Sequence, residues 1–204
     1  MKRTALACIL MAFSTVCAAE TLPVTANAVF SVNGQEFTIS RVSTLEQTTI
    51  SAPTQSSSTC KAPCLSPMTI APNVPTLGEL DVIEFLSTQV DSGDGLLIDA
   101  RLPEDRALGY IPASVNIPAA TLAPTNPYRN EILPALGAQH YEGVFSFTDA
   151  ISLMVYDSGP ATQDAAALIV DLLVAGYPPE KIGYYRGGMQ VWTTLGLSTT
   201  AATR

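Results

Sequence analysis

Near the N-terminus, two short runs mix apolar and β-prone polar residues, Val29-Phe30-Ser31-Val32 and Glu36-Phe37-Thr38-Ile39-Ser40-Arg41-Val42, on either side of Asn33-Gly34. An Asn-Gly pair between β-rich runs predicts a tight hairpin, because both turn residues must take positive φ. From Thr48 to Thr59 the chain is mostly Ser, Thr and Gln with one proline, which predicts a linker. Cys60-Lys61-Ala62-Pro63-Cys64 follows, then Pro67, Pro72 and Pro75; so many prolines hold this stretch extended or turning rather than helical.

Beyond Pro75 the pattern changes to short apolar runs alternating with helical periodicity, the arrangement of a parallel sheet covered by helices. Thr76 is placed to cap a helix through Leu77, Leu80, Val82, Ile83, Phe85 and Leu86. Gly95 to Ala100, Val115-Asn116-Ile117-Pro118, Ala150 to Tyr156 and Ile182 to Tyr185 read as extended pieces. Asp157-Ser158-Gly159-Pro160 turns the chain into a helix from Ala161 to Ala175, with Gly176 at the C-cap. Gly187-Gly188 opens a last helix through Trp192, and no internal repeat is visible.

The first residues change the picture of where the chain works. Met1-Lys2-Arg3 is basic, Thr4 to Val16 is mostly apolar and small, and Cys17-Ala18-Ala19 precedes Glu20, which is the layout of a secretory signal peptide cut after Ala19. Ser14-Thr15-Val16 is a poor lipobox for acylation of Cys17, and no later run is long enough to span a bilayer. The 204-residue chain carries a net charge of -8; removing the leader leaves eight basic and 18 acidic residues. Such an acidic chain has no electrostatic attraction for nucleic acid or an anionic membrane. An apolar fraction of 47 % supports a real core, and a single histidine, His140, leaves little material for a metal cage, so neither metal nor cofactor is expected.

Three motifs in order carry a resemblance to a known family. Asp99-Ala100-Arg101 precedes Pro103-Glu104, then comes Gly109-Tyr110-Ile111-Pro112-Ala113-Ser114-Val115-Asn116-Ile117-Pro118, and Tyr185-Arg186-Gly187-Gly188 is followed by Trp192. From about Thr76 to Ser198 the chain resembles the rhodanese (sulfurtransferase) domain, and the cysteine-bearing N-terminal extension is similar to that of a secreted subgroup. The resemblance implies an α/β fold, with a central parallel sheet, helices on both faces and the N-terminal β-hairpin as an extension. The division expected is a signal peptide over 1–19, an extension with hairpin, linker and cysteine pair over 20–75, and the rhodanese-like domain over 76–204. In the family, the strand matching Leu153-Met154-Val155-Tyr156 delivers a cysteine into a loop whose N–H groups stabilise a thiolate and its persulfide; here that position is Asp157.

The ligand-binding loop implied by the resemblance comprises Asp157, Ser158, Gly159, Ala161 and Thr162. A carboxylate suits an amide cradle, since N–H donors favour its ionised form, but it cannot carry sulfane sulfur. Asp157 therefore reads as a built-in anion reshaping a ligand pocket or as a helix cap, the commoner role; an aspartyl nucleophile lacks the usual partners. Nothing in the sequence brings His140 to Ser158 as a hydrolase triad requires. Arg101 and Arg186 read as anion-orienting groups at strand ends, or more simply as ion-pair partners of Asp99. Cys60 and Cys64, in an oxidising compartment, read first as a small disulfide loop and second as a redox or sulfur-relay pair.

These readings favour a non-catalytic accessory module that binds a small anion, a sulfur-containing ligand or a protein partner. The alternative is a sulfurtransferase or thiol-redox enzyme using Cys60 or Cys64. If the leader is removed, intact-mass analysis of protein from the exported fraction will start at Glu20; a full-length species confined to the cytosol, or a lipidated Cys17, overturns that expectation.

Overall fold

A computed structural model describes residues 28–40 and 65–201. Its elements in chain order are β1 (Ala28–Val32), β2 (Gln35–Ile39), β3 (Thr76–Leu77), α1 (Glu79–Phe85), β4 (Gly95–Asp99), α2 (Pro103–Arg106), β5 (Val115–Asn116), α3 (Arg129–Ile132), β6 (Gln139–Tyr141), β7 (Val144–Ser146), β8 (Ser152–Tyr156), α4 (Asp164–Ala175), β9 (Ile182–Tyr185) and α5 (Gly188–Thr194). Five strands form a parallel sheet in the order β3-β9-β8-β4-β5. The hairpins β1-β2 and β6-β7 stand as separate antiparallel pairs.

Strand alternation sends neighbouring side chains to opposite faces of the sheet, and both faces are buried. Ile98, Leu153, Val155, Ile182 and Tyr184 join Leu168, Ile169 and Leu172 of α4 on one face. Leu97, Met154, Tyr156 and Tyr185 join Val82 of α1 and Met189 and Trp192 of α5 on the other. The β1-β2 hairpin belongs to this second face: Phe30 and Ile39 are buried in the same cluster, and Ser198 N–H donates to Ser40 O at 3.0 Å. Asn33 and Gly34 turn the hairpin with φ of 52° and 78°, as the Asn-Gly pair predicts.

Three expected elements move. Thr76 does not cap a helix; Thr76 and Leu77 pair with Tyr184 and Tyr185 as the edge strand β3, and the Thr76 hydroxyl donates to Met68 O. The helix begins two residues later, where the Asp81 carboxylate accepts the Gly78 N–H at 2.7 Å, and its apolar pattern runs on through the π-helical stretch Leu86–Val90. Helix α4 starts at Asp164 rather than Ala161, because Thr162 N–H and the Thr162 hydroxyl both turn back to Gly159 O. Gly176 closes it with φ of 96°, as expected of a C-cap. The β6-β7 hairpin was not legible: its turn is Glu142-Gly143, with φ of 47° and 83°, and Glu is not a customary residue there.

The disulfide expected between Cys60 and Cys64 is not borne out. The structure has no disulfide among the described residues, and both cysteines lie outside them, as does the expected leader. Among the described residues no helix is long and apolar enough to cross a membrane.

At the C-terminal end of β4, Asp99 is fully buried and closes a polar network that fixes the adjoining segments. Arg101 donates to it through Nε at 2.8 Å and Nη2 at 2.6 Å, Arg106 through Nη1 at 3.1 Å and Tyr156 through its hydroxyl at 3.0 Å. Ser114 meets the Tyr156 hydroxyl at 3.0 Å and accepts from Arg106 at 2.9 Å, while Asn116 Nδ2 donates to Asp99 O and Arg101 O. Burial opposes the charge of Arg101, but the hydrogen bonds and charge of Asp99 outweigh it and raise its pKa. Burial, then the Asp99 charge, raise that of Tyr156, which stays a donor. Removing one member of a buried ion pair strands the other, so Asp99→Ala is expected to lose about 3–5 kcal/mol in chemical denaturation. A loss below about 1 kcal/mol would show that this network is peripheral to stability.

Candidate functional site

The loop 157–163 leaves the C-terminal end of β8, the edge where open α/β sheets bind ligands. Its first residue, Asp157, is fully buried. One carboxylate oxygen accepts the Gly159 N–H at 2.9 Å and the other accepts the Ala165 N–H at 3.0 Å. Ala165 is the second residue of α4, so Asp157 caps that helix from a position well before its start. Main-chain bonds tie the loop to α5 as well: Met189 N–H donates to Asp157 O at 3.0 Å and Gln190 N–H to Ser158 O at 2.9 Å. Gly188, with φ of 55°, makes that approach possible, since a Cβ there would sit 2.4 Å from Asp157 O.

Burial is the largest influence on Asp157 and raises its pKa from 3.8 to about 6; the Ala165 N–H, the Thr162 side chain and the Gly159 N–H pull the other way, and Asp164 adds to the rise. No cation stands among these influences. This loop therefore stabilises a negative charge with amides and a hydroxyl alone, and does so incompletely.

The expected residues divide into two groups. Asp157, Gly159 and Thr162 meet in the loop, with Ser158 joined to α5 through its carbonyl and Ala161 exposed at the outer edge. Asp99 and Arg101 pair with each other, as the simpler reading had it. Arg186 does not pair with Asp99: its Nε donates to Ser66 O at 3.0 Å, beside the loop. His140 lies on β6 against the Phe145 ring at 4.5 Å, with no role in the loop.

Sequence reasoning missed four participants. Arg106 is the second cation on Asp99, stacked 3.6 Å over Tyr110. Tyr156, Tyr184 and Ser66 carry no motif of their own; only the buried alternation of β8 and β9 hinted at the tyrosines. Ser66 donates its N–H to Pro160 O at 2.7 Å and its hydroxyl to Thr162 O. Burial raises the pKa of the Tyr184 hydroxyl, a hydrogen bond with the Ser66 side chain opposes the rise, and the charges of Asp157 and Arg186 act on it in opposite directions. Among the described residues there is no cysteine and no cluster suited to hold a metal ion.

Comparison with known families decides the membership. The model of the rhodanese-like domain matches residues 83–195, more than half of the chain. The chain belongs to the rhodanese-like domain family. No curated protein matches it. Among solved structures, this rhodanese-like chain is similar to a protein of unknown function from Rhodopseudomonas palustris, described as a possible tyrosine phosphatase, at 20 % identity and a TM-score of 0.45, covering 62 % of this chain and 85 % of that one. A rhodanese-related protein from Thermoplasma volcanium is similar at 19 % identity and a TM-score of 0.41, over 61 % of this chain and 96 % of that one. A thiosulfate sulfurtransferase from Pseudomonas aeruginosa is similar at 20 % identity and a TM-score of 0.43, over 64 % of this chain and 21 % of its own.

The raised pKa gives this rhodanese-like loop a measurable pH signature. Because native Asp157 holds its proton more tightly than the unfolded chain does, its contribution to stability is greatest below about pH 4 and is lost as pH rises through about 6. Relative to Asp157→Asn, the wild type is expected to lose about 2 kcal/mol between pH 4 and 7. Parallel stability-pH curves for the two proteins would show that the carboxyl is not buried as described.

Proposed function

We propose that the chain is an exported rhodanese-like protein that lacks cysteine-persulfide sulfurtransferase chemistry at its loop and works as an accessory module for a protein partner. The observation that carries the reading is the Asp157 carboxylate, which takes the Gly159 and Ala165 N–H groups for itself. By resemblance to the family, this is the position of the sulfur-carrying cysteine, and a carboxylate offers neither a thiolate nor a site for sulfane sulfur. A small anion at the loop would have to compete for amides already engaged by an internal one. Partner binding is therefore favoured over anion binding. Export rests on the leader pattern of Met1 to Ala19.

A second reading, a sulfur- or thiol-handling enzyme using Cys60 or Cys64, has one observation in its favour. Ser66, two positions along the chain from Cys64, is hydrogen-bonded to the loop. Turnover assays separate the readings. With thiosulfate or 3-mercaptopyruvate as donor and cyanide as acceptor, the wild type is expected to show no turnover through the loop. Asp157→Cys is expected to acquire a persulfide detectable by mass, because the N–H groups that serve the carboxylate lower a thiol pKa as well. Robust wild-type turnover that survives Asp157→Ala and is lost in Cys60→Ser or Cys64→Ser would establish the second reading instead.

A further inference from the structure

The outward side of α4 has the composition of a core rather than of a surface. After Asp164 the helix reads Ala-Ala-Ala-Leu-Ile-Val-Asp-Leu-Leu-Val-Ala, so Asp171 is its one polar residue. At about 3.6 residues per turn, Ala165, Leu168, Ile169 and Leu172 face the core, while Ala167, Val170, Asp171 and Val174 share the opposite side. Val170 is 47 % exposed and Val174 64 %. A helix on the surface of a globular domain ordinarily turns charged residues outward, and one that is apolar nearly all round is ordinarily covered on every side.

The charges beside this face come as an unsatisfied pair. Burial raises the pKa of Asp171, and the charge of Arg129 on α3 opposes the rise, which sets the two side chains near one another. Yet neither side chain makes a hydrogen bond or ion pair among the described residues, and Arg129 Nε is buried without a partner. Glu131, the acidic residue of α3, lies on the other side of that single turn. A guanidinium and a carboxylate whose bonding capacity is unused, beside an apolar stripe, gain most from a surface that brings the opposite group to each.

We propose that this face of α4 is the interface of a homodimer, in which two copies pack α4 against α4 across a two-fold axis and Asp171 of each copy pairs with Arg129 of the other. This goes beyond the partner-binding reading above and does not rest on it. A second copy fits because the face is self-complementary. An isologous contact brings residue i to j and j to i, so one anion and one cation beside an apolar stripe answer each other twice. The chain as a whole, with a net charge of -8, repels a copy of itself over most approaches, whereas here the two charges cancel. A different protein would have to supply its own cation and anion at matching positions. Ala167 leaves room for the two helices to approach closely. With 12 residues α4 is about 18 Å long, so the interface is small and the dimer reversible, with a Kd on the order of 1–100 μM.

Sedimentation equilibrium on the full chain from about 1 to 300 μM tests the interface. The wild type is expected to pass from one chain mass to two over that range, and Val174→Glu to bind its own copy at least about tenfold more weakly with native circular dichroism. The charged pair gives the decisive reading. Asp171→Arg sets guanidinium against guanidinium twice across the axis, and Arg129→Asp sets carboxylate against carboxylate twice, so each variant alone is expected to stay monomeric. Mixed in equal amounts, the two variants restore one native pair and make one reversed pair, and are expected to associate within about tenfold of the wild-type affinity. A role for Asp171 and Arg129 inside one chain does not produce association on mixing. A wild type that stays monomeric over the whole range overturns the proposal, as does a mixture of folded variants that stays monomeric while the wild type dimerises. Dimerisation untouched by these substitutions overturns it as well, because the contact then lies elsewhere. Should a charge-reversal variant fail to fold, the double variant Val170→Glu with Val174→Glu decides: loss of the dimer with native circular dichroism supports the α4 face, and a retained dimer overturns it.

Discussion

A buried carboxylate held by main-chain N–H groups, with no ion pair among the described residues, governs this end of the molecule. Asp157 is held by the Gly159 and Ala165 N–H groups, and satisfying it fixes the path of the loop, the start of α4 and, through the Asp157 carbonyl, the seat of α5. On the neighbouring strand, Asp99 solves the same problem differently. Two guanidinium groups and a phenol surround it, so its charge is matched by charge. The contrast explains why one carboxyl is pushed up to about 6 by burial while the other anchors a stable ion-paired network. Strand ends that look alike in sequence, each an Asp at the close of an apolar run, thus carry opposite electrostatic characters.

The parts of the fold that were legible in the sequence are those decided locally. Asn33-Gly34 fixes a turn by φ alone, Gly176 closes a helix by φ alone, and the apolar runs at β4, β8 and β9 are short and bounded by turn residues, as buried strands are. The parts decided by distant contacts were not. Thr76 and Leu77 carry a helix-start pattern, but the open edge of β9 claims them as a strand. Ala161 to Gln163 have good helical composition, but the Thr162 hydroxyl turns back to Gly159 and postpones the helix.

The site divides along the same line. Asp99 and Arg101 are two residues apart, so their pairing follows from proximity, and the motif that resembles rhodanese supplies Asn116, which bonds both carbonyls. Arg186 was assigned to the wrong partner because nothing in the sequence says that Ser66, far upstream, lies against the end of β9. Tyr184 escaped notice for a related reason. A strand tyrosine is ordinarily core, and Tyr184 is fully buried there, with only its hydroxyl reaching toward Ser66.

The β1-β2 hairpin bears on what counts as one unit of this protein. The match to the rhodanese-like domain model begins at residue 83, long after the hairpin ends. Yet Phe30 and Ile39 pack in the same cluster as Val82, Leu86 and Trp192, Ser31 N–H donates to Asp91 at 2.6 Å, and Ser40 bonds Ser198 near the far end of the chain. A fragment cut to the limits of homology would leave one side of the sheet with an uncovered apolar floor, and with it a tendency to self-associate. The packed unit is therefore longer than the stretch matched to the family, and the hairpin is an integral wall of the domain rather than an ornament on it.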